Sequence, residues 1–402
     1  MDDIERAFRE AHGPAVATLV RVFGDISLAE DAVQDAFASA MDRWPRDGVP
    51  DNPAGWIVST ARNRAIDFVR REARGRQLSA QALYRREAQV VDDPGEEIGV
   101  MRDDQLRLVF TCCHPAIRPE HQVALTLRLI AGMSPAEVAR AFLVSEATMA
   151  KRLTRAKYKI RAAHIAYRVP DVAELPERLR AILATLYLIY NAGADDRAGR
   201  GELRAEAIRL ARLLVDLMPD EPEAIGLLAL MLLSESRMPA RATQEIVLLR
   251  DQDRGSWNPT LIAEGQRLVL ACLRRGRPGP YQIQAAIQGV HCAAGTYDDT
   301  DWPAVVRLYD RLVALMPTPV VRLNRAIAVA ETNGPQVALD LIDDVATELD
   351  TYHLLHAARA TMLRRLGRTD EARATFRRSA DLAPLESERT FLAENAAALE
   401  GR

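Results

Sequence analysis

The stretch from Ser134 to Arg161, SPAEVARAFLVSEATMAKRLTRAKYKIR, constrains this chain most. Ser134 is placed to cap a helix, Pro135 sits at the first helical position, and Glu137 follows three residues after the cap, the pattern of a capping box. Val138, Ala139 and Phe142 then recur at helical spacing. A second cap, Ser145, opens a helix with Met149, Leu153 and Ala156 on one apolar stripe. Lys151, Arg152, Arg155, Lys157, Lys159 and Arg161 carry charge elsewhere on it, against a single acid, Glu146. Two short helices held by a tight turn, the second one basic, form the arrangement that sends a helix into the DNA major groove. The competing reading is an ordinary helical hairpin with a solvated basic face.

Charge is distributed in blocks around this stretch. The whole chain of 402 residues has a net charge of −3. Residues 1–50 hold five basic and ten acidic side chains, whereas residues 101–168 hold twelve basic and five acidic ones. An acidic block followed by basic ones predicts separate surfaces for a protein partner and for nucleic acid. Apolar residues make up 48% and aromatics only 5%, a mixture that favours an all-α protein. There is no run of eighteen apolar residues, and the acidic start MDDIERAFRE lacks the basic and apolar regions of a signal peptide. The expectation is a soluble, cytoplasmic chain with no membrane partner.

Upstream, Leu28 to Trp44 places Leu28, Ala32, Val33, Ala36, Phe37, Ala40 and Met41 on one helical face, with Glu30, Asp31, Gln34, Asp35 and Asp42 outside it. After the turn-rich Pro45 to Pro53 comes Ala54 to Arg76, whose apolar stripe is Trp56, Ile57, Ala61, Ala65, Ile66 and Val69. Six arginines there outnumber Asp67 and Glu72. A basic helix carrying Trp56 and Asn63 suits contact with phosphates and unstacked bases.

These segments, AEDAVQDAFASAMDRW, NPAGWIVSTARNRAIDFVRRE and the helix-turn-helix, resemble regions two and four of the extracytoplasmic-function sigma factors of bacterial RNA polymerase. The resemblance covers roughly residues 1–165 and implies two partners, core RNA polymerase and promoter DNA. It implies that Asp31, Gln34 and Asp35 bind the clamp helices of the polymerase's largest subunit. It further implies that Arg62, Asn63, Asp67, Arg70 and Arg71 lie along the minus-ten element, beside Trp56, which the residues themselves single out as a DNA contact. Thr148, Lys151, Arg152 and Arg155 would approach the minus-thirty-five element, and the cap Ser145 and the late-helix Lys157 are expected to bind DNA with them. Many relatives carry a basic residue where Ala150 stands.

The division expected is region two over 1–76, a flexible linker over 77–100, region four over 101–168, a helical extension over 169–284 and tetratricopeptide-like repeats over 285–402. The acidic run Asp92, Asp93, Glu96 and Glu97 around Pro94-Gly95 is what favours a linker. In the extension, Tyr187-Leu188-Ile189-Tyr190-Asn191 reads as buried core. Ala304, Ala338 and Ala372 are each thirty-four residues apart, as are Leu308, Ile342 and Phe376, while Ala326 and Ala360 keep the same step. Ala360, Gly367, Ala372, Phe376, Ala380 and Pro384 match the small, turn and stop positions of a tetratricopeptide unit. Such units must stack to bury their faces. The whole chain thus resembles the subgroup of sigma factors with a long helical tail, which implies regulation by that tail, and stacked repeats build surfaces suited to contact with a regulatory protein.

Two other function classes compete. A stand-alone helix-turn-helix regulator with a sensory or dimerising tail would need no acidic helix followed by a basic one. An enzyme would need a glycine-rich phosphate loop, a nucleophile elbow or a metal-spaced His/Cys cluster, and the sequence has none of these. Cys112-Cys113-His114 invites a zinc site, but adjacent residues rarely ligate one tetrahedral metal, so the pair reads as buried thiols. His353 and His356 read as packing residues. No cofactor, metal or catalytic residue is expected.

Overall fold

The computed structural model describes residues 2–50, 52–76, 94–142, 144–193, 201–241 and 246–399, and all regular structure among them is helical. The chain divides into two compact units, Met1–Leu217 and Met218–Arg402.

The first unit begins with α1 (Asp2–Phe23), α2 (Ile26–Asp47) and α3 (Pro53–Arg76) packed on one another. Asp25 caps α2, its carboxylate accepting the N–H groups of Ser27 at 2.7 Å and Leu28 at 3.1 Å. Gly48 ends it with φ +88, a conformation a side chain would strain. Ala29, Ala32, Val33, Ala36, Phe37, Ala40 and Trp44 are buried, with Ile57, Ala61 and Ala65 of α3. The stripe runs slightly differently from the expected one. Met41 is 67% exposed, and Trp44 fills the position one turn after Ala40 instead.

The helices α4 (Pro94–Cys112), α5 (Pro119–Leu125), α6 (Pro135–Ala141) and α7 (Glu146–Ala162) follow. Within the linker expected over 77–100, α4 begins at Pro94. Proline at the first helical position and acids in the first turn suit a helix start, and Pro94, Glu96 and Glu97 hold those positions in α4. Residues 77–93 lie outside the described residues. Between α5 and α6 the backbone widens into a π-turn over Thr126–Ile130. The capping box forms as the spacing predicts: Ser134 Oγ accepts Glu137 N–H at 3.2 Å and Ser134 N–H donates to Glu137 Oε2 at 2.6 Å. Met149, Leu153, Ala156 and Ile160 are the buried stripe of α7.

Next, α8 (Leu175–Ala192) and α9 (Gly201–Leu217) pack on each other and on α4. The compact units do not divide at residue 169, where the extension is expected to begin. The first two helices of the extension complete the core of the first unit, and the break falls at Leu217 and Met218. The apolar segment at 187–191 is only partly core: Ile189 and Tyr190 are buried, but Leu188 is 47% exposed.

The second unit comprises α10 (Pro222–Glu235), α11 (Pro259–Arg275), α12 (Pro280–Ala293), α13 (Trp302–Leu315), α14 (Pro319–Asn333), α15 (Pro335–Asp343), α16 (His353–Arg365), α17 (Thr369–Leu382) and α18 (Glu386–Ala397). Helix α10 is buried from Ala224 to Leu233, as a helix apolar all round must be. From α13 onward each helix packs on its neighbour in sequence. Ala326, Ala338, Ile342, Ala360, Ala372 and Phe376 share one core, so the thirty-four-residue step is a packing step. Gly367 turns the chain between α16 and α17 at φ +75.

No described helix is long and apolar enough to cross a membrane.

Candidate polymerase and promoter interface

The acids of α2 divide by face. Asp31, Gln34 and Asp35 are exposed, clear of the buried stripe. Desolvation by its surroundings, and then the neighbouring Glu30 charge, raise the pKa of Asp31. Glu30 itself turns inward and is buried. On α3, Asn63, Asp67, Arg70 and Arg71 are exposed and Arg62 is half-buried. Arg71 Nε donates to the Asp67 carbonyl at 3.2 Å. Trp56 is half-buried, its ring 5.5 Å from that of Trp44 in an edge-on contact, so one part of it is packing and the other remains accessible.

On α7, Ser145 caps the helix: its hydroxyl accepts Thr148 N–H at 3.2 Å and lies 2.8 Å from the Thr148 hydroxyl. Thr148, Lys151 and Arg155 are exposed and Arg152 is half-buried. Lys157 is placed differently. Its ammonium is hydrogen-bonded to Glu30 on α2, and Arg128 Nε donates to the other oxygen of the same carboxylate at 2.5 Å. The Arg128 side chain is 3% exposed and that of Glu30 is 8% exposed. A phosphate contact by Lys157 therefore requires this cluster to open.

Burial alone would raise the Glu30 carboxyl. The charges and hydrogen bonds of Lys157 and Arg128 outweigh burial and hold it below the usual carboxylate range. The π-turn supports the cluster, since Arg128 Nη1 also donates to the Met133 carbonyl at 3.1 Å just beyond it. Gly13 of α1 makes the approach feasible. A Cβ there would lie 2.8 Å from the Ile130 carbonyl oxygen, inside contact distance.

Further contacts join the two modules. Arg21 Nε donates to Asp104 Oδ2 at 2.7 Å, and Arg107 holds the other oxygen of that buried acid at 2.8 Å. Arg161 Nη2 donates to Ser27 Oγ at 3.2 Å. The Tyr167 hydroxyl lies 2.8 Å from the Ala17 carbonyl and 2.9 Å from that of Asp104. His12, buried against Phe37, has its pKa lowered to about 4 by burial and by the Arg128 charge. The extension's α8 is tied in as well: Arg178 donates to the Phe110 carbonyl at 2.7 Å, and the Thr185 hydroxyl to Gln122 Oε1 at 2.9 Å.

Cys112 and Cys113 are buried, with burial pushing the Cys113 thiol up to about 11. His353 and His356 are also buried, His356 Nε2 lying 2.7 Å from the Asp350 carbonyl.

Glu30 and Arg128 escaped sequence reading, although one signal was present. Arg128 is the sole charge in VALTLRLIAG, and a charge in an apolar run must find a partner.

Three family models match this chain: Sigma-70 region 2 over residues 8–75, Sigma-70 region 4 over 107–160, and a family of unknown function, DUF6596, over 178–273. The chain belongs to the extracytoplasmic-function sigma factors. A protein of Rhizobium meliloti (strain 1021), named as uncharacterized, is 42% identical over 97% of the chain and 94% of its own length. The probable ECF RNA polymerase sigma factor SigI of Mycobacterium tuberculosis is 27% identical over 168 residues. That match spans 41% of this chain and 57% of the relative. The sigma factor is accordingly a non-enzymatic initiation factor that binds core RNA polymerase and promoter DNA. The α1–α3 module is its region two, α4–α7 include its region four, and the DUF6596 match bridges the two compact units.

Proposed function

We propose that this sigma factor is held closed by the Glu30 cluster and regulated through its C-terminal extension. Asp31, Gln34 and Asp35 form the polymerase contact, being solvent-facing acids on a helix whose other face is core. Trp56, Arg62, Asn63, Asp67, Arg70 and Arg71 serve the minus-ten element. Ser145, Thr148, Lys151, Arg152, Arg155 and, once released, Lys157 serve the minus-thirty-five element. Thr148 and Lys151 lie in the first turns of α7 and meet base edges. Arg152, in the second turn, joins them, and the late Lys157 and Lys159 meet phosphates.

The observation that carries the regulatory reading is the attachment of α8 and α9 to region four. Arg178 and Thr185 hold the extension on the elements that support the reading helix. A change in the tetratricopeptide-like repeats thereby has a covalent route, through the chain that continues from α9, to the elements that support promoter binding, and a protein bound to the repeats is one such input. Run-off transcription with core polymerase tests this, comparing the full chain with residues 1–217, which keep the first unit whole. A rate that differs between the two supports regulation by the repeats. Identical rates at every salt concentration overturn it.

A further inference from the structure

The second unit contains a cavity of about 450 Å³, within the size range that holds one small organic molecule. The thirty-four-residue step builds one of its walls. Asn324, Ala358 and Leu392 occupy equivalent places on α14, α16 and α18, and Ile327, Thr361 and Asn395 occupy the next level. Tyr297, Trp302 and Tyr309 add aromatic surface. Apolar side chains at this cavity remain open to solvent: Ile327 is 38% and Leu354 44% exposed.

Two guanidinium groups border the cavity without a carboxylate. Arg250 lies 4.9 Å from the centre of the Tyr297 ring. Arg364 lies 5.4 Å from that of Phe376 and donates to Asn395 Oδ1 at 2.8 Å. Neither makes an ion pair with an acid among the described residues, whereas Arg365 is neutralised by Glu331 at 2.7 Å. Burial, followed by the charge of Arg250, lowers the pKa of Arg364. Both guanidinium groups line the same cavity, so an anion bound there would meet positive charge that no described carboxylate pairs.

His291 supplies an independent sign of a ligand. It lines the cavity and is only 7% exposed, its ring 5.3 Å from that of Trp302 in an edge-on contact, and its Nδ1 is buried without a hydrogen-bond partner. A buried polar atom left unpaired carries a free-energy cost that a ligand's polar atom removes.

We propose that this cavity binds a small organic anion with a flat aromatic body. The acid group lies between Arg250 and Arg364, and the ring system rests against Trp302 and Ile327. The ligand site stands on the cavity alone. Its use as an effector site rests on the regulatory reading above, so the test measures binding and not transcription.

Two fluorescent dyes of the same shape make that test on the full chain: anilinonaphthalene sulfonate, an aromatic anion, and phenylnaphthylamine, its neutral counterpart. The sulfonate should bind once per chain and at least about tenfold more tightly. Arg250→Met with Arg364→Met should bring the two dyes to parity, and Ile327→Trp should abolish both by filling the cavity. Because Arg364 packs on Phe376, Arg250→Met is also measured alone, with a loss of about threefold expected for the sulfonate only. Equal affinity of the two dyes for the unaltered protein overturns the proposal. So does sulfonate binding that survives the double variant or Ile327→Trp.

Discussion

Replacing Glu30 by Gln should loosen the sigma modules from each other and lower the stability of the first unit. The side chain keeps its size but loses its charge. Arg128, with 3% of its side chain exposed, then remains charged with only neutral acceptors, the new amide oxygen and the Met133 carbonyl. Removing one partner of a buried ion pair costs roughly 3–5 kcal/mol, because the other charge stays desolvated. In a unit of this size each kcal/mol moves the midpoint by about 2–4 °C, so the melting transition should fall by roughly 6–20 °C. Differential scanning calorimetry reads this. Hydrogen exchange locates it, with the amides of α7 losing protection before those of α2. Glu30→Leu combined with Arg128→Met should recover most of the loss, since a packed apolar pair often matches a buried ionic one. A midpoint within about 1 °C of the parent for Glu30→Gln would refute the argument. So would a double variant as damaged as the single one.

Three further outcomes follow from the same geometry. Gly13→Ala puts a methyl against the Ile130 carbonyl and should cost about 1–3 kcal/mol by overpacking, seen as earlier urea unfolding of the first unit alone. His12 and His291, each lowered from 6.5 to about 4, stay neutral in the fold while the unfolded chain takes up protons below pH 6.5. Each unit should therefore lose up to about 1.4 kcal/mol per pH unit between pH 6.5 and 4, and melts at pH 7.5 and pH 5 check the sign. Replacing Asp31 and Asp35 by Arg should abolish co-purification with core polymerase at unchanged circular dichroism, and retained binding would move the contact elsewhere.

Local signals predicted local structure well. The caps at Ser134 and Ser145 and the α7 stripe depend on neighbours a few residues apart, and each appears as spaced. What escaped depended on partners far along the chain. Glu30 looked like one more solvated acid on α2, because its partners lie 98 and 127 residues away. Met41 and Trp44 lie within a turn of each other, and which of them is buried is set by the Trp56 ring on another helix. The boundary near residue 169 was drawn from the end of a familiar pattern, whereas the core ignores that end and continues to Leu217.

The Glu30 cluster also changes how binding events add up. Polymerase is expected on one face of α2 and DNA on α7, and the carboxylate that ties these helices together belongs to α2. A closed majority lowers apparent promoter affinity by the fraction of molecules that are open, tenfold for each 1.4 kcal/mol of net closing free energy. If core polymerase prefers the open form, reciprocity makes DNA tighten polymerase by the same factor that polymerase tightens DNA. Such a protein would ignore the chromosome until the enzyme it serves had already engaged it.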